Sequence, residues 1–186
     1  MRHIPNALTI FRVLLIPLFI WLTFVSSVEQ RIAWALLVFV VAALTDLLDG
    51  YLARKWKVIS DFGKIADPLA DKLLVLTALA ALTWLEPYRL FVGFFVLIAA
   101  REILITILRE VYKKQGFIMP ADNLGKWKTV LQMTGIVAAM ALWAWLPEVT
   151  PPVVLSAQIW LCLVTILTLY SGLNYLKPRS KQTQGK

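Results

Sequence analysis

A chain of 186 residues that is 60% hydrophobic and only 16% charged, with a mean hydropathy of +0.74, falls outside the composition of soluble globular domains and reads as a membrane protein. Its formal net charge of +8 suits anionic lipid headgroups and an anionic substrate; nucleic acid is excluded as a partner because the basic residues flank apolar runs instead of forming a stripe interleaved with aromatics. The single cysteine, Cys162, excludes an intramolecular disulfide and a cysteine-based metal site.

Crossing a bilayer as a helix takes about 20 apolar residues, and six stretches reach or approach that length: 6–26, 31–51, 68–86, 88–110, 124–146 and 152–176. The first opens at Pro5, close to Asn6 and Thr9, and its span-length run reads as a helix rather than a cleaved signal peptide. Pro17 is expected to kink it. The breaks "SSVEQR", "EPYR" and "PEVTPP" are rich in turn formers and helix stops, so the helices they join are predicted to form hairpins. Among Lys and Arg, these three turns hold only Arg31 and Arg89. The N-terminus, the 52–67 loop, the 111–123 loop with its flanks and the tail hold nearly all the others, which orients both termini toward the cytoplasm. The expected fold is therefore all-α, one six-helix transmembrane domain over 1–176 followed by a basic, disordered tail, 177–186.

The same rule puts the charged stretch "TDLLDGYLARKWKVISDFGKIADPLADK", residues 45–72, at the cytoplasmic surface. Charges at membrane depth are costly unless paired, hydrated or bound to a cation. With about 100° of rotation per residue, Asp46, Asp49, Gly50 and Ala53 share one stripe at the end of the second span. Asp67 and Asp71, four apart, share a face at the start of the third. Pro68 disfavours helical geometry at Asp67 and puts it at the helix boundary. Bringing the four carboxylates together without cations would force repulsion or protonation. An all-oxygen set with no His or Cys nearby fits two Mg²⁺ or Mn²⁺ ions, held jointly by carboxylates, water and substrate phosphates. Such ions can clamp a phosphoryl group between attacking and leaving oxygens. Gly50 and Ala53 let a bulky ligand approach the helix backbone, and Arg54 can grip a phosphate with two hydrogen bonds. Solvated helix ends balanced by nearby Lys and Arg account for Asp61, which lies outside the pattern, but not for carboxylates matched to glycines at fixed spacing.

Residues 46–71 fit D-x2-D-G-x2-A-R-x8-G-x3-D-x3-D at all eight fixed positions, and this stretch resembles the signature of the CDP-alcohol phosphatidyltransferase family. That resemblance implies transfer of a phosphatidyl or related group from a CDP-linked donor to an alcohol, with release of CMP. It implies that Asp46, Asp49, Asp67 and Asp71 hold two divalent ions and that Gly50, Ala53 and Arg54 contact the CDP portion. Asp71 would double as the base that deprotonates the acceptor. Asn6, Thr9 and Arg12 follow the family's opening pattern and are assigned to nucleotide binding or its support. A homodimer in the bacterial inner membrane is a further family expectation, and the Lys and Arg count turns its active site toward the cytoplasm.

The motif leaves the acceptor open. The segments "IPNALTIFRVLLIPLF", "AREILITILRE" and "GKWKTVLQM" resemble the bacterial members that use CDP-diacylglycerol as donor and glycerol 3-phosphate as acceptor. Arg101 and Glu102 interrupt an apolar helix, Arg109 lies on nearly the same face as Glu102, and Lys126 and Lys128 open the next span. Together Arg101, Arg109, Lys126 and Lys128 would make a pocket for the acceptor phosphate. Positive-inside anchoring would also fill Arg109, Lys126 and Lys128, and Arg101 with Glu102 also reads as an internal ion pair. Thr129 and Gln132 either pack between helices or line the cavity. Two other readings stand beside this one: the same chemistry with inositol phosphate, serine or phosphatidylglycerol as acceptor, and a cation transporter. The transporter is disfavoured because the carboxylates gather at one end and no second acidic cluster mirrors them.

Overall fold

Two helix-forming features set the first element apart: an apolar run with a proline in its middle, and a C-terminal turn that widens. The computed structural model describes the backbone of residues 4–56, 61–115 and 123–176 and the side chains of 8–49, 69–112, 115 and 124–173. Helix α1, Ile4–Ile20, runs through Pro17 and continues as a π-helix, Trp21–Val25, closed by Ser26 N–H donating to the Trp21 carbonyl at 2.8 Å. Thr23 Oγ1 donates to the Phe19 carbonyl at 2.7 Å, so its buried hydroxyl is satisfied within the helix. Gln30, at φ 56°, turns the chain into α2, Arg31–Trp56.

Helix α3 spans Asp61–Trp84 and begins earlier than expected. The proline argument puts Asp67 at a helix boundary, but the helix starts at Asp61, so Asp67 and Pro68 lie within it. The residue preceding Pro68 is only disfavoured in helical geometry, and carrying the helix through keeps the backbone hydrogen bonds that a break would leave open. A short turn containing a cis Glu86–Pro87 bond leads to α4, Val92–Lys114; α5, Asn123–Trp145, and α6, Pro151–Leu176, complete the bundle. Two prolines open α6, where their missing donors are not needed. Residues 177–186, expected as a basic tail, lie outside the described residues.

Packing follows the hairpin expectation. Helix α1 lies on α2 and α3, α2 also on α5, and both α4 and α5 on α6. Small residues at Ala35, Ala42, Ala70, Ala78 and Ala81 are buried at these seams, which lets backbones approach where apolar burial alone gives no drive toward helix association. Phe19 and Phe39 meet with ring centroids 5.8 Å apart. At the far end from the charged stretch, Tyr88 donates its hydroxyl to the Ala139 carbonyl at 2.9 Å and ties the α3–α4 turn to α5. Between α5 and α6 the contact is closer still, because a Cβ on Gly135 would fall 1.9 Å from the Trp160 indole. Gly135→Ala is therefore expected to cost about 2 kcal/mol by overpacking, read as a fall of roughly 5 °C in the unfolding midpoint in detergent. An unchanged midpoint would mean that the seam has slack.

Among the described residues, three stretches, Leu8–Val25, Arg31–Asp49 and Pro151–Leu173, are long and apolar enough to cross a membrane. Helices α3, α4 and α5 have 24, 23 and 23 residues, but charges interrupt their apolar runs. Those charges include Asp71, Lys72, Arg101, Glu102, Lys126 and Lys128, and they gather at one end of the bundle.

Candidate active site

The alternating direction of the helices brings the N-terminal parts of α1, α3 and α5 together with the C-terminal parts of α2, α4 and α6. Two charged clusters form there. In the first, Arg12 reaches from α1 to α2 and is completely buried. Its Nη1 lies 2.7 Å from Asp46 Oδ1, and its Nη2 donates to Asp49 Oδ2. Asp49 is 5% exposed, and the Asp46 side chain is half-buried. The two carboxylates, one helical turn apart, thus converge on a single cation. Thr9, one turn before Arg12 on α1, is also buried.

The second cluster joins four helices. Glu102 Oε1 accepts from Arg101 Nη1 at 3.1 Å and from Lys128 Nζ, and the Glu102 backbone carbonyl accepts from Lys72 Nζ at 3.3 Å. Arg101 is held further by α6, donating through Nε to the Thr168 carbonyl at 3.2 Å and through Nη2 to Ser171 Oγ at 2.8 Å. The ion pair expected between Arg101 and Glu102 is present, and a third charge, Lys128, shares it. Lys128 is 5% exposed, burial that positive-inside anchoring alone does not produce.

Asp71 connects the clusters. It lies within electrostatic reach of Asp46 and Arg12 on one side and of Glu102 and Lys128 on the other. It also lines an open cavity of about 550 Å³ into which Arg101, Arg109, Lys126 and Lys128 converge. All four residues expected around an acceptor phosphate therefore share one cavity with the expected base. Lys72, Thr106 and Glu110 line it as well, and the sequence pattern did not single them out. Thr106 was detectable only as the residue four beyond Glu102, to whose carbonyl it donates at 2.6 Å. Thr129 also lines the cavity, donating to the Gly125 carbonyl at 3.0 Å.

Helix α1 carries Asn6, α2 carries Gly50, Ala53 and Arg54, and α3 carries Asp67; their side chains and surroundings lie outside the described residues. Among the described residues, no group of three or more His, Cys, Asp or Glu is positioned to hold a metal ion.

The family model for CDP-alcohol phosphatidyltransferases matches residues 2–170. The chain belongs to the CDP-alcohol phosphatidyltransferase family. Several relatives bear the name CDP-diacylglycerol–glycerol-3-phosphate 3-phosphatidyltransferase. This CDP-alcohol phosphatidyltransferase is 37% identical to the one from Haemophilus influenzae over 177 residues, 94% of this chain and 92% of that one. It is 36% identical to that of Rickettsia bellii over 180 residues, 97% of both chains. Over 181 residues it is 39% identical to that of Shigella flexneri serotype 5b, 94% of this chain and 93% of that one. The matched segment takes in both charged clusters, so the family likeness and the cavity concern the same residues.

Proposed function

We propose that this protein is a membrane enzyme that transfers the phosphatidyl group of CDP-diacylglycerol to glycerol 3-phosphate, giving phosphatidylglycerophosphate and CMP. The observation that carries the reading is the meeting of Asp71 with Arg101, Arg109, Lys126 and Lys128 around one cavity. A carboxylate facing several fixed cations suits an acceptor that offers a hydroxyl at one end and a phosphate at the other. The names of the Haemophilus influenzae, Rickettsia bellii and Shigella flexneri relatives support the same donor and acceptor. The cation-lined cavity speaks against an ion path for cations.

In this reading the chain crosses the bacterial inner membrane six times as one domain, works as a homodimer and turns both termini and the site toward the cytoplasm, where a lipid-anchored donor and a water-soluble acceptor can meet. Gly50, Ala53 and Arg54, with Asn6 and Thr9, hold the CDP end. Arg101, Arg109, Lys126 and Lys128 hold the acceptor phosphate. The Asp71 carboxylate takes the proton from the acceptor hydroxyl as its oxygen bonds to the lipid-proximal phosphorus. The bond from that phosphorus to the bridging oxygen breaks, and CMP leaves with that electron pair.

Asp46, Asp49, Asp67 and Asp71 would hold two divalent ions, Mg²⁺ or Mn²⁺. The fit is supported by an all-oxygen donor set and by Asp46 and Asp49 already converging on positive charge. When bound, such ions supply charge neutralisation at the transferring phosphoryl group.

Reconstitution with CDP-diacylglycerol and single acceptors tests the proposal. Glycerol 3-phosphate should give phosphatidylglycerophosphate with stoichiometric CMP; chelation should reduce the rate by at least about 10²-fold, with Mg²⁺ or Mn²⁺ restoring it. A different product lipid would overturn the acceptor, and CMP release indifferent to chelation would overturn the metal assignment.

A further inference from the structure

Gln132 stands on α5 one turn beyond Lys128, on the same helix face. It is 2% exposed, and its amide Nε2 is buried with no hydrogen-bond partner among the described residues. The charged groups beside it are not in that state, since Lys128, Glu102 and Arg101 all bond to one another or to α6. A buried amide donor without an acceptor is uncommon, and in a cavity wall it marks a position where a ligand atom or water completes the bond.

Gln132 lines a recess of about 50 Å³. Asp71, Lys72, Glu102, Lys128 and Thr129 line both this recess and the larger cavity, so the recess is the inner end of the same site. It has room for a water molecule or a hydroxyl group, and a phosphate requires the larger space. The walls put Gln132 with Asp71, the base at the reacting end, and with Lys128, one of the cations at the phosphate end.

We propose that Gln132 determines acceptor specificity by donating a hydrogen bond from Nε2 to the acceptor hydroxyl that does not react. This inference rests on the acceptor assignment above. Glycerol 3-phosphate presents three functional groups in a row. One terminal hydroxyl gives its proton to Asp71, and the phosphate meets the cations. The middle hydroxyl is the group left for the recess, whose walls include both Asp71 and Lys128. An acceptor lacking that hydroxyl leaves the amide buried and unbonded, which is the arrangement by which polar sites reject such analogues most strongly.

The test compares glycerol 3-phosphate with 1,3-propanediol monophosphate, which keeps the reacting hydroxyl and the phosphate but lacks the middle hydroxyl. Both are supplied to the reconstituted enzyme with CDP-diacylglycerol, and CMP release is followed. Wild-type protein is expected to favour glycerol 3-phosphate by on the order of 10²-fold in kcat/KM. In Gln132→Met the preference should fall to within about 3-fold, through loss of rate with glycerol 3-phosphate and not with the analogue. Residual activity with the analogue separates this role from a structural one, which would lower both rates together. Turnover by Gln132→Met with the preference intact, or equal loss with both acceptors, would overturn this inference alone. Should Gln132→Met not fold, the wild-type comparison still decides against it if the analogue is used as well as glycerol 3-phosphate. Absence of any turnover of glycerol 3-phosphate by folded wild-type protein would overturn the functional reading and this inference together.

Discussion

Asp71→Asn should reduce CMP release by about 10³-fold or more while leaving the helical bundle folded. The substitution preserves shape but replaces the basic carboxylate with an amide too weakly basic to take the acceptor's proton, a role worth roughly 10²–10⁴ in rate. It also removes one negative charge from the proposed cation site, which adds to the loss. Stability should hold, because Asp71 lies within reach of two other carboxylates, Asp46 and Glu102, and losing a charge there relieves repulsion as well as attraction. Single-turnover CMP release and a thermal melt in detergent, run on the same preparation, make the check. Wild-type turnover in a folded variant would remove Asp71 from the base role.

Arg12→Leu tests the other cluster and should act on stability first. Arg12 bridges Asp46 and Asp49 from a fully buried position. Removing one member of a buried ion pair typically costs roughly 3–5 kcal/mol, because a charge remains in a poorly solvated place. For a chain of this size that corresponds to a fall of about 10 °C in the unfolding midpoint. Addition of Mg²⁺ should recover part of the loss and should have less effect on wild-type protein, whose carboxylates already have the guanidinium. Combining Arg12→Leu with Asp46→Asn and Asp49→Asn should restore the midpoint without restoring activity, since removing both sides of a buried pair is close to neutral. An unchanged midpoint in the single variant would show that the two carboxylates do not depend on Arg12.

Much of the charged end of the bundle could be read from the chain alone. Asp46, Asp49 and Asp71 announce themselves as charges in apolar segments at helical spacing, because lipid makes every unneutralised charge conspicuous. The cationic set was legible for the same reason, and the cavity unites all four of its members with Asp71. Beyond the expected Arg101–Glu102 pair, what escaped was how the charges pair. Arg12 and Asp49 are separated by 37 positions, and no periodicity within α1 or α2 specifies that the two helices meet there; crossing geometry does. The sharing of Glu102 by Arg101 and Lys128 likewise depends on α4 and α5 both leaning against α6. The start of α3 lies earlier than local proline chemistry implies because a helix carried through Pro68 keeps the backbone hydrogen bonds that a break would lose. Gln132 was ambiguous because an uncharged amide on an apolar helix carries no pattern of its own. Only its burial without a partner sets it apart.

The bridge from Arg12 to Asp46 and Asp49 also bears on how the protein is made. Synthesis proceeds from the N-terminus, so Arg12 leaves the ribosome before the α2 residues that neutralise it exist. Until then its guanidinium needs another partner, and a long arginine side chain can reach headgroups or water. When Asp46 and Asp49 emerge, the first two helices can close as a neutralised hairpin and supply the surface on which α3 later packs. An early pairing of this kind would couple insertion of the first two helices to assembly of the charged end of the bundle.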